Sequence, residues 1–171
     1  MSKFFVVALV GVIAGCSAGA SAPGQAAPAA APRAHAHAHD PADHNHDRGR
    51  MMVASNGVVD ALLTAHLSSR EGHELDVFVE RGGAPVALEA TELRAKVVAG
   101  GEEKPLAFTC APRDERPEDE PEGTCSHFVA KAPWIDPSQA LLVRADLPLR
   151  RGPVPYAWRA FQPLRYAHHV D

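Results

Sequence analysis

From about Met52 onward the chain alternates apolar and polar positions in short runs set between turn signals. Leu93-Arg94-Ala95-Lys96-Val97 puts Leu93, Ala95 and Val97 on one face and both cations on the other. The run from His73 to Glu80 aligns Leu75, Val77 and Val79, and the run from Leu141 to Leu147 aligns Leu141, Val143, Ala145 and Leu147. A period of two over such lengths marks half-buried strands. Shorter strands are expected over Leu106 to Cys110, His127 to Lys131 and Tyr156 to Phe161. Val58 to Leu67 also suits one helical face, but Ser68-Ser69-Arg70-Glu71-Gly72 after it favours a strand closing a hairpin with the next. Arg81-Gly82-Gly83-Ala84-Pro85 and Ala99-Gly100-Gly101-Glu102-Glu103 read as further turns. About seven strands over 52–171 predict an all-β domain, an antiparallel immunoglobulin-like or fibronectin-like sandwich.

The first fifty residues follow a different pattern. Met1-Ser2-Lys3 is cationic, and Phe4 to Ala14 is an unbroken run of apolar and small residues. That run is a signal-peptide core, shorter than the roughly 20 residues of a spanning helix. It ends in Ile13-Ala14-Gly15-Cys16, which resembles the lipobox of bacterial lipoproteins. The resemblance implies cleavage before Cys16, a diacylglyceryl thioether on its sulfur and acylation of the new amino terminus. Several acyl chains hold a protein stably where one alone does not. Ser17, in place of the aspartate of retained lipoproteins, implies the outer membrane. The expected organisation is a signal peptide over 1–15, a lipidated cysteine with a disordered tether over 16–51, and the β-domain over 52–171. Ala, Gly, Ser and Pro dominate Ser17 to Arg33, and Pro23, Pro28 and Pro32 interrupt any Ala-driven helix. A flexible tether of this length spans on the order of 35 Å.

Charge and cysteines narrow the chemistry. The net charge of −4 gives no basic face to neutralise phosphates, which argues against nucleic acid. With Cys16 acylated, Cys110 and Cys125 remain as an even pair in an oxidising compartment and are expected to form a disulfide. A two-Cys metal site is the alternative, though no close C-x-x-C pair supports it. Six acids stand between the two cysteines (Asp114, Glu115, Glu118, Asp119, Glu120 and Glu122) among Pro112, Pro117 and Pro121. Without regular Asp-x-Asp-x-Asp spacing this is expected to be a solvated loop and not a calcium site. Trp134 and Trp158 are expected at core or rim positions.

Histidine is the anomaly. Of the ten in the chain, His35, His37, His39, His44 and His46 fall between residues 35 and 46, with Asp40, Asp43 and Asp47 among them. Imidazoles at H-x-H spacing on a pliant chain can wrap Zn²⁺, Cu²⁺ or Ni²⁺, with carboxylates as auxiliary ligands. Lacking a second shell, such a tract binds loosely, as a buffer or first catcher. A solvated tether of drifted composition is the bland reading of the same residues. If the first hairpin pairs Leu62 with Val77 and Thr64 with Leu75, then His66 faces His73 as half of a second metal site. His168-His169 beside Asp171 is a third candidate, and reads equally as a frayed end.

Enzyme signatures are missing. There is no G-x-S-x-G elbow, Walker loop or H-E-x-x-H, and Ser126 and His127, adjacent on a strand, would point to opposite faces. Gly57-Val58-Val59, Gly72-His73-Glu74-Leu75, Gly83-Ala84-Pro85-Val86 and the Leu93 to Val98 strand together resemble a group of small periplasmic β-domains found near heavy-metal efflux systems. The likeness covers roughly residues 57–98. Ser55-Asn56 stands where that group usually has a histidine, and the disulfide loop is an addition. Two functions are expected to compete: an outer-membrane lipoprotein that buffers divalent metal or passes it to a metal-transport or envelope protein, and a non-catalytic envelope interaction module.

Overall fold

The structure, a computed structural model, describes residues 48–171; the signal-peptide run, Cys16 and the five tether histidines lie outside the described residues. It is all-β. After a 3₁₀ turn at Arg48–Arg50 come ten strands: β1 (Met52–Ser55), β2 (Asp60–Leu67), β3 (Glu74–Arg81), β4 (Ala84–Pro85), β5 (Glu92–Ala99), β6 (Glu102–Cys110), β7 (His127–Lys131), β8 (Leu141–Leu149), β9 (Gly152–Phe161) and β10 (Ala167–Val170). All seven expected strands are present, and β1, β4 and β10 are additional. Both Gly-Gly pairs form two-residue hairpin loops, with Arg81 opposite Ala84 and Ala99 opposite Glu102. Their four glycines carry φ of +58° to +90°, the region such loops demand.

One hydrogen-bonded path runs β1-β2-β3-β7-β6-β5-β8-β9, with β4 on β3 and β10 on β2. All pairings are antiparallel except β10 with β2. The inner faces share one core, in which Trp158, Phe108, Phe128 and Phe161 are the largest fully buried side chains. The path nearly closes on itself: from β9, Tyr156 Oη donates to Val59 O (3.0 Å) and Trp158 Nε1 to Ala61 O (3.1 Å), beside and within β2.

The first hairpin corrects the expected register by one residue. Leu63 faces Val77, Ala65 faces Leu75, and His66 faces Glu74 and not His73. The cause lies in β2, which is apolar on both faces, so its own alternation does not say which side is inner. Ala61, Leu63, Ala65 and Leu67 enter the main core, while Leu62 joins Met51 and Phe78 in a small second core on the outer face. That covered outer face carries the functional candidates.

Candidate metal centre

The candidate site lies where β10 meets the end of β2. Ala167 aligns with Ala65, His169 with His66 and Val170 with Leu67, and the register shifts between Ala167 and His169. His168 is therefore the extra residue of a bulge, a device that re-aims side chains. In a regular strand His168 and His169 would point to opposite faces. Here both rings flank His66, at centroid distances of 5.6 Å and 4.8 Å, each edge to face. Asp171 is folded back onto the same end, its N–H donating to Leu67 O (3.1 Å) and its carbonyl accepting from Ser69 N–H (3.4 Å). As a result His66, His169 and Asp171 each offer one ligand atom within 4.8 Å of the others. A closed tetrahedral shell needs about 3.4 Å between ligand atoms. His169 and Asp171 are exposed and His66 is half-buried, so side-chain rotation can close that gap.

Thr64 fixes the third histidine. Its hydroxyl lies 2.6 Å from Tyr166 O and 3.4 Å from His168 Nδ1. The single hydroxyl proton goes to the carbonyl, which can only accept, so the hydroxyl oxygen accepts from His168 Nδ1–H. That leaves His168 Nε2 carrying the lone pair. Much of the His168 side chain is exposed, yet neighbouring atoms crowd the ring, and this desolvation lowers its pKa below the ordinary histidine value. Asp76 opposes the shift, while His66, His127 and His169 add to it. The neutral, metal-competent form is thereby favoured.

Beside the cluster, across the β2–β3 pairing from Thr64, lies a polar pair that the sequence did not announce. Asp76 and His127 are both buried, with His127 Nε2 3.1 Å from Asp76 Oδ1 and Nδ1 3.2 Å from Glu115 O. The two ring nitrogens thus lie between a backbone carbonyl and a carboxylate, both of them acceptors. The ring stacks on Phe78 at 4.1 Å, and Asp76 Oδ2 is buried without a hydrogen-bond partner among the described residues. Phe78 was the available signal: a phenylalanine on the supposedly solvent-facing side of β3 means that face is covered.

The Cys110–Cys125 disulfide is formed, with Cα atoms 5.8 Å apart. Glu120 sits within ligand distance of the two sulfurs, but the disulfide occupies both. The loop between them is not wholly solvated. Glu120 is buried, accepting from Arg116 and from the Ser126 hydroxyl. Ser126, just before β7, and His127, its first residue, serve separate partners, Glu120 and Asp76. His73 stands apart from the cluster, its carbonyl taking the Ala132 N–H. The structure therefore joins half of the second expected site, His66, to the third. No protein-family model matches this chain, and neither a curated protein nor a solved structure shows significant similarity to it.

Proposed function

We propose that the chain is a non-catalytic, outer-membrane lipoprotein that binds divalent metal of the Zn²⁺, Cu²⁺ or Ni²⁺ class, held by Cys16 and using the histidines at 35, 37, 39, 44 and 46 as a loose buffer. The observation that supports it is the convergence of His66, His169 and Asp171, from opposite ends of the described chain, on one point. Two imidazoles and a carboxylate suit borderline ions better than Ca²⁺ or Mg²⁺. For the fold, an immunoglobulin-like sandwich is the finer proposal, supported by two strand groups facing across one core.

Calorimetric titration of the mature protein with each ion tests the function. The protein with all five tether histidines changed to Ser should lose most of the bound metal and keep the melting temperature of the metal-free domain, while retaining the fold's own equivalent. Binding should weaken as pH falls through about 6.5, where free imidazoles protonate and cease to be ligands. A mature protein that binds none of the three ions would end this reading and leave the envelope interaction module in its place. Anchoring is tested separately: Cys16→Ala should abolish acyl labelling.

A further inference from the structure

We propose that His168 is the fourth ligand of the metal centre, making a three-imidazole, one-carboxylate site with His66, His169 and Asp171. This rests on the metal-binding reading above and assigns the composition of that site. The bulge carries the argument. Without it, His168 would align with His66 and His169 with Leu67, and only one imidazole could stand beside His66. With it, both do. Burial does not account for the irregularity, because Val170, the apolar residue beyond it, is 61% exposed.

The ring spacing fits a shared ion. Two imidazoles on one tetrahedral ion, with bonds of about 2.0 Å, place their ring centres about 5 Å apart. The two spacings to His66, 4.8 Å and 5.6 Å, bracket that value. Thr64 supplies what a ligand histidine ordinarily has, a partner on the other nitrogen that fixes tautomer and orientation. It holds Nδ1–H and leaves Nε2 for the metal. With His168 held by Thr64, rotation of the exposed His169 and Asp171 side chains brings four donors to one centre, and the nitrogen-rich set selects zinc, copper or nickel.

The test uses the full chain with the five tether histidines changed to Ser, loaded with one equivalent of Zn²⁺, or of Co²⁺ as a coloured probe. X-ray absorption should count three imidazoles, and Co²⁺ should give the intense visible bands of four-coordination. His168→Ala should bring the count to two and weaken binding at least tenfold. Thr64→Val should keep three imidazoles yet weaken binding by roughly 10- to 100-fold, the usual effect of losing an orienting partner. A parent protein that shows two imidazoles and loses them with His66→Ala overturns the role of His168 and leaves the three-residue site standing. A parent that binds neither ion overturns both.

Discussion

Tyr156 and Trp158 solve one problem in the same way: each is a large aromatic with a polar tip, and each buries its body while sending the tip across the core to a backbone carbonyl of β2 or the residue before it. For Tyr156 the environment has a titration consequence. Burial raises its pKa above the ordinary tyrosine value of 10.0, and the charge of Asp60 adds to the shift. The folded state thus keeps the phenol proton while the unfolded chain begins to lose it near pH 10. The stabilisation is complete below that pH and is lost as pH rises through the higher folded value. Tyr156→Phe should cost about 1 kcal/mol at neutral pH, the net worth of the lost hydrogen bond. It should also flatten the alkaline decline of urea midpoints between pH 9 and 11. Equal declines in both proteins would refute the assignment. The Asp76–His127 pair shows the other residue-scale lesson: a polar residue inside an alternating strand is read as exposed unless its covering is known, and here the cover includes Phe78 and the loop that carries Glu115.

Strands with one apolar face and tight glycine turns were legible, because period-two patterning and positive-φ loops are local. Gly101 has φ of +90°, and a β-carbon there would meet nothing within 4 Å. Gly101→Ala should therefore destabilise through backbone strain alone, by about 1 kcal/mol in chemical denaturation. An unchanged midpoint would show that the loop has moved to another turn type. The elements misread share a cause. β2 has two apolar faces, so the slip that set His66 opposite His73 could not be seen without knowing that Leu62 has partners in Met51 and Phe78. β10 is short, parallel and bulged, and Ala167-His168-His169-Val170 carries no alternation. The site inherits that difficulty. His66 and His169 were each singled out, but their meeting depends on a pairing across a hundred residues and on one extra residue in the strand.

At the scale of the molecule, the β1-β2-β3-β7 group and the β6-β5-β8-β9 group are joined through β6 and β7, whose pairing is only Thr109 with Val129 and Cys110 with Phe128. The disulfide lies at this seam: Cys110 ends β6, and Cys125, just before β7, bridges to Leu88. Replacing both cysteines with Ser should lower stability by about 3 kcal/mol in the loop-entropy picture. The β-sheet circular dichroism should persist, and hydrogen exchange should rise most in β6 and β7. Uniformly faster exchange would place the seam elsewhere. A second feature acts over similar distances. Thr64 Oγ1 also lies 3.3 Å from Arg50 O, which sets the first described residues beside His168. By chain length alone, a group as far upstream as His44 lies within about 21 Å of that point. Confinement of one imidazole to so small a volume corresponds to a local concentration on the order of tens of millimolar. On the proposed reading, an ion leaving the folded site meets a ligand of its own molecule before it meets the solvent at large, so that even the loose affinity of a tether imidazole, multiplied by this concentration, slows escape.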